Sequence, residues 1–289
     1  MHRSVPMRLL PAFALAFIVG CSGSAPDALD PAAGSAPSGA STVTTPPAGT
    51  TTTPPGGGTT SPKPGTDAGA PGKDGGTKPP SGSGGGGGPG AGEHDISFQG
   101  ASVALHVPAA TGKPMPLMII LHGQGDTGRN FLNVWLARGY PQNLIIAAPD
   151  DNTDDTSVAL EQSLRSMFNV DVAREYLFGF SQGGAYAAFV LFDGSAASRY
   201  AGVTLASSGL AADPSGIPAA SAGSPAVAVV IDPTDPNNTW NQGRHVMEDF
   251  VTMMSGRGYD AKLFLHNAGH TISTPEVKNA IDWMLTKTK

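Results

Sequence analysis

The pentapeptide Gly179-Phe180-Ser181-Gln182-Gly183 places a serine between two glycines, each two positions away. On a sharp turn from a strand into a helix, such a serine presents its hydroxyl at the surface, and the small flanking residues let the two elements close up. A serine hydroxyl becomes a nucleophile only when a base takes its proton, and the base needs an acid to orient it. Beyond Ser181 the chain offers three histidines, His245, His266 and His270. His245 falls in an expected helix and His266 at the end of an apolar strand. His270 follows the loop Asn267-Ala268-Gly269, which can bring it back over a sheet. Two carboxylates, Asp232 and Asp235, follow the apolar run Ala226–Ile231. Asp235 has the better reach, because Pro233 sets the chain direction just after Asp232 and Asp235 lies past that turn; Asp232 then accepts backbone hydrogen bonds within the turn. The remaining requirement is an oxyanion hole. Leu121-His122-Gly123-Gln124-Gly125-Asp126-Thr127-Gly128 follows another apolar run, and the backbone N–H groups of Gln124 and Gln182 are the expected donors. This loop lacks the Lys-Ser/Thr ending of a phosphate loop.

The elements that must position these residues follow from the apolar pattern. Strands are expected over Asp95–Val107 (a pair), Pro116–Leu121, Asn143–Ala148, Glu175–Phe180, Ala201–Ala206, Ala226–Ile231 and Ala261–His266. Helices are expected over Asn130–Arg138, Thr156–Phe168, Gln182–Phe192, Asn241–Met254 and Thr274–Leu285. Continuous apolar strands alternating with helices imply an α/β domain, a mostly parallel central sheet with helices on both faces. The nucleophile, acid, base and oxyanion loop all fall just past the C-terminal ends of strands, where such sheets carry their sites.

Composition restricts the rest. The chain has 289 residues with 39 Gly and 26 Pro, 17 Lys+Arg against 23 Asp+Glu for a net charge of -6, and one cysteine. This balance gives no basic surface for nucleic acid, and a single cysteine makes neither an internal disulfide nor a structural zinc site. Arg3 and Arg8 precede the apolar run Leu9–Gly20, too short to span a bilayer, so residues 1–20 read as a signal peptide. Ile18-Val19-Gly20-Cys21 resembles the bacterial lipobox. That resemblance implies lipidation of Cys21 and, with Ser22 rather than Asp following, an outer-membrane lipoprotein. Between residues 22 and 93, 52 of 72 residues are Gly, Pro, Ser or Thr and none is aromatic. Such a segment cannot bury enough apolar surface to offset its ordering entropy, so residues 21–93 are expected to be a lipidated cysteine followed by a disordered tether. Residues 94–289 have the composition of one globular domain.

Taken together, Leu121–Gly128 followed by Phe131, then Gly179–Ala185, then Gly269-His270 resemble the phospholipase/carboxylesterase branch of the α/β-hydrolases. That branch includes acyl-protein thioesterases and has polyhydroxybutyrate depolymerase and feruloyl esterase relatives. The resemblance spans about residues 102–287. It implies Ser181 as nucleophile, His270 as base, Asp235 as acid, no cofactor and no metal. This chain reads Asp232-Pro233 where the family usually has His-Gly before the acid. The acidic stretch between Ala148 and Thr156 is short, which implies a minimal cap. The expected function is a lipid-anchored serine esterase that cleaves small-molecule or polymeric carboxylic esters through an acyl-enzyme. Thioesterase or peptidase activity on the same triad is one alternative, and a non-catalytic surface lipoprotein that uses the fold to bind a ligand is another.

Overall fold

The computed structural model describes residues 87–289 apart from Asn241 and Gln242. The signal peptide, Cys21 and the tether as far as residue 86 lie outside the described residues. Among the described residues, no helix is long and apolar enough to cross a membrane.

An eight-stranded sheet organises the domain: β1 (Gly92–Phe98), β2 (Ala101–Val107), β3 (Met115–Leu121), β4 (Ile145–Pro149), β5 (Val170–Phe180), β6 (Gly202–Ala206), β7 (Ala226–Ile231) and β8 (Ala261–Leu265), in the order β1-β2-β4-β3-β5-β6-β7-β8. β1 and β2 are antiparallel to each other, β2 is antiparallel to β4, and the six strands from β4 to β8 are mutually parallel. The central strands are apolar throughout because they are covered on both faces, and alternate residues go to opposite cores. Leu117, Ile119, Leu121, Val203, Leu205, Val227, Val229 and Ile231 belong to one core, which helices α2 (Asp154–Met167), α3 (Gln182–Phe189) and α5 (Met247–Gly256) close with Leu160, Leu164, Ala187, Phe250 and Met254. Met118, Ile120, Ile146, Tyr176, Phe178, Ala228 and Val230 belong to the other. Helices α1 (Gly128–Ala137) and α6 (Pro275–Leu285) close it with Phe131, Leu132, Trp135, Val277, Ile281 and Met284. A short helix, α4 (Gly194–Ala197), follows a 3-10 turn after α3.

Three helices start where a threonine can bond the exposed N–H groups of the first turn. Thr127, Thr153 and Thr274 accept from Asn130, Thr156 and Val277 at the starts of α1, α2 and α6. The expected helix over Asn241–Met254 needs correction, because α5 begins only at Met247. Residues before it fold back instead: Trp240 and His245 pair as an isolated bridge, the Trp240 indole donates to the Val246 carbonyl at 3.0 Å, and the Asn238 side chain accepts from Met247 N–H at 3.0 Å. These side-chain bonds move the helix start, and His245 therefore stands in the bridge ahead of α5. β5 begins at Val170, five residues before the expected strand, because Val170 already pairs with Met115. β1 begins at Gly92, so the last two residues assigned to the tether lie in the sheet. Just before them Gly88 donates to the Met167 carbonyl at 3.1 Å.

Candidate active site

Ser181 directly follows β5 and caps α3 with φ 53° and ψ -119°, a conformation that costs an L-residue of order 1–3 kcal/mol and persists only where its surroundings impose it. They do so through glycine. A Cβ on Gly179 would lie 2.2 Å from the Gly183 carbonyl oxygen, one on Gly183 2.4 Å from that of Leu121, and one on Gly184 2.5 Å from Ser208 Cβ. The turn is tied down by Ser181 N–H donating to Ala206 O at 2.9 Å and by Gly184 and Ala185 N–H donating back to Ser181 O. Ser181 makes no side-chain cap bond to α3, so its hydroxyl is available for another partner.

That partner is His270. Its Nε2 lies 2.9 Å from Ser181 Oγ, and its Nδ1 lies 2.8 Å from Asp235 Oδ2. The Asp235 side chain is fully buried and the His270 side chain is 34% exposed, so the row runs from the interior out to Ser181. Asp235 Oδ1 accepts from Asn237 N–H at 2.8 Å. The Asn237 amide is a second polar neighbour of His270, with Nδ2 3.1 Å from Nδ1. Phe180, beside Ser181, lies with its ring centroid 5.0 Å from that of His270 and 6.2 Å from that of Phe131. It gives the imidazole an apolar wall.

The other two histidines are placed elsewhere. His266 is buried, with Nδ1 accepting from Ala268 N–H at 3.3 Å. His245 stacks on Trp240 with ring centroids 4.2 Å apart, and its Nδ1 is 3.4 Å from Asp249. Asp232 does not meet His270. Its Oδ1 accepts from the Thr234 N–H and hydroxyl, both at 2.7 Å, and its Oδ2 accepts from Gly269 N–H at 2.6 Å. Those donors, the Thr234 side chain foremost, hold the Asp232 carboxyl below its ordinary range.

The glycine-rich loop after β3 reaches Ser181: a Cβ on Gly123 would lie 3.4 Å from Ser181 Cβ, and Gly183 N–H donates to His122 O at 3.1 Å. Gln124 follows Gly123 on this loop, and Gln182 opens α3, whose N-terminal end favours negative charge. Asn152, which the sequence did not single out, holds the loop. Its Oδ1 accepts from His122 N–H at 3.1 Å, and its Nδ2 donates to His122 O. Asn152 lies in a loop with no motif around it, so only its place after β4 could have pointed to it. The approach of the Asn237 side chain to His270 carried no signal either, within a turn of polar residues. Among the described residues no group of three or more His, Cys, Asp or Glu is arranged to hold a metal ion.

A parallel sheet with antiparallel strands at one edge, a serine on the strand-to-helix turn of a central strand, and a histidine after the last strand together define the α/β-hydrolase fold. Solved structures agree. A thermostable esterase superposes with a TM-score of 0.52 at 16% identity, over 68% of this chain and 63% of its own length. The carboxylesterase of Bacillus cereus gives 0.52 at 15% identity over 64% of this chain and 93% of its own. FphF, a fluorophosphonate-binding serine hydrolase of Staphylococcus aureus with substrate bound, gives 0.52 at 14% identity over 68% and 99%. No protein-family model and no curated protein matches the sequence. At these identities the likeness is one of fold.

Proposed function

We propose that the chain is a serine hydrolase that cleaves carboxylic esters through an acyl-enzyme, with Ser181 as nucleophile, His270 as general base and then acid, and Asp235 as its orienting carboxylate. The observation that carries this reading is the unbroken row Asp235–His270–Ser181, with contacts of 2.8 and 2.9 Å. With its proton on Nδ1 directed at Asp235, His270 turns the Nε2 lone pair to the serine hydroxyl. As Ser181 Oγ attacks the ester carbonyl, its proton passes to Nε2. The carbonyl oxygen becomes an oxyanion, for which we propose the backbone N–H groups of Gln124 and Gln182 as donors. Nε2 then protonates the leaving alcohol. Water, activated by the same nitrogen, attacks the acyl-Ser181 carbonyl and releases the acid. The half-exposed serine and the short loop after β4 fit an open site under a minimal cap, and the glycine motifs resemble the phospholipase/carboxylesterase branch.

Two measurements on the full chain test this reading. A fluorophosphonate probe is expected to label Ser181, and a chain-length series of p-nitrophenyl and feruloyl esters is expected to be hydrolysed. Ser181→Ala is expected to lower kcat by about a thousandfold or more. Unlabelled Ser181 and unhydrolysed esters would instead favour a binding module.

We also propose that the protein is anchored through lipidated Cys21 to the outer membrane, with the Gly/Pro/Ser/Thr-rich segment as a tether. The lipobox-like Ile18–Cys21 supports this, and more than one acyl chain makes such anchoring stable. In a Gram-negative host, labelled fatty acid should enter the wild-type chain and not Cys21→Ala; equal labelling of both refutes the anchor.

A further inference from the structure

The loops that carry His270 and Asp235 come from different parts of the chain, and the 2.8 Å contact between them depends on how those loops are held together. Asp232 is 3% exposed and touches both. Its Oδ1 closes the turn that leads to Asp235, by way of Thr234 N–H and Oγ–H, and its main-chain oxygen accepts from Asp235 N–H at 2.9 Å. Its Oδ2 crosses to Gly269 N–H, in the peptide just before the one that joins Gly269 to His270. Gly269 has φ +71°, a left-handed conformation open to glycine, and the bond to Asp232 fixes the direction in which the chain enters His270. On the other side of His270, Ser207 Oγ donates to Thr271 O at 2.9 Å, and the Tyr140 hydroxyl donates to Ile272 O. Of these tethers, Asp232 is the one whose other end lies in the loop of the acid.

We propose that Asp232 is a positioning residue that locks the His270 loop to the Asp235 loop, so that Nδ1 meets Oδ2 while Nε2 meets Ser181. This rests on the serine-hydrolase reading for its kinetic consequence but not for its geometric one. Asp232 touches no reacting atom. Without it three donors lose their acceptor, the Gly269 peptide is free to turn, and the imidazole shifts relative to both neighbours.

The experiment compares three variants of the full chain with wild type, each first shown to be folded by near-UV circular dichroism. In Asp232→Ala, kcat on a short-chain p-nitrophenyl ester is expected to fall about 30- to 100-fold, the scale of a misplacement of about 1 Å, with KM within about threefold. Asp232→Asn keeps one acceptor oxygen and is expected to lose about three- to tenfold; it carries the test if the alanine variant does not fold. Thr234→Val removes a turn hydrogen bond without touching the His270 loop, and its kcat is expected to stay within about threefold. The proton NMR resonance of the His270 Nδ1–H···Asp235 bond reads the geometry without turnover and is expected in wild type and in Thr234→Val, but not in Asp232→Ala. If both Asp232 variants keep kcat within threefold and retain the resonance, the proposal is overturned. An equal loss in Thr234→Val overturns it too, because Asp232 would then serve only its own turn. If wild type hydrolyses no ester while the resonance still depends on Asp232, the hydrolase reading falls and the positioning role stands.

Discussion

Replacing Asp235 by asparagine isolates the orienting role proposed for it, because the amide has nearly the shape of the carboxylate it replaces. In the native site Oδ1 accepts from Asn237 N–H at 2.8 Å and Oδ2 faces His270 Nδ1 at 2.8 Å, on a fully buried side chain. An asparagine is expected to keep its oxygen toward Asn237 N–H, since turning its NH2 there would set two donors against each other, one of them on a buried side chain, at a cost of about 1 kcal/mol or more. The NH2 then points at Nδ1, which can only accept. The imidazole proton moves to Nε2, and the nitrogen facing Ser181 no longer has a lone pair for the serine proton. The same tautomer change in a Ser-His-Asp protease lowers kcat by about 10⁴, so on the proposed reading a loss of about 10³ to 10⁴ is expected here, or about 4–5.5 kcal/mol on the barrier. Stability should change little. The assay is kcat on a short-chain ester at neutral pH, with near-UV circular dichroism to confirm the fold. A folded Asp235→Asn enzyme within tenfold of wild type would refute the reasoning and move the orienting role to another side chain.

Two further substitutions test the supports of the site, and a third tests a buried carboxyl away from it. Gly183→Ala puts a methyl 2.4 and 2.6 Å from the carbonyl oxygens of Leu121 and His122; backbone cannot yield cheaply there, so a loss of about 1–3 kcal/mol is expected in a thermal melt, with ester hydrolysis falling further as the oxyanion loop is pushed away. Asn152→Ala removes its two bonds to the His122 main chain and is expected to lower kcat by about tenfold and stability by about 2 kcal/mol; unchanged kcat would mean that the remaining contacts of His122, with Gly183 N–H among them, are enough to hold the loop. Far from the site, Glu161 is buried beside Glu175, where burial first and Glu175 second push its carboxyl up to about 7 against the pull of Arg165 and Arg199. A carboxyl raised on folding contributes stability that is fully present below its ordinary value and lost as pH rises through about 7, so Tm should fall between pH 5 and pH 8 by a few degrees. Glu161→Gln should flatten that slope, and an unchanged slope would assign it to other groups.

The order of strands and helices is written along the chain, because apolar runs buried on both faces and 3.6-residue stripes are local patterns that persist whatever packs on them. The turn at Ser181 is legible for the same reason: glycines at 179, 183 and 184 answer steric demands of a strand and a helix adjacent in sequence. Where side chains override the local pattern, sequence loses its hold. The helix expected from Asn241 starts at Met247 because Asn238 and Trp240 bond across the turn, and no periodicity encodes that. The site divides in the same way. Both Asp232 and Asp235 follow β7 and could face a histidine. Tertiary structure decides that Asp235 meets the His270 ring while Asp232 takes the Gly269 N–H, and it alone brings Asn152 to the glycine-rich loop after β3. Hydrogen bonds between loops some thirty residues apart depend on where the sheet delivers the chain ends, a property of the packed strands together and of no single segment.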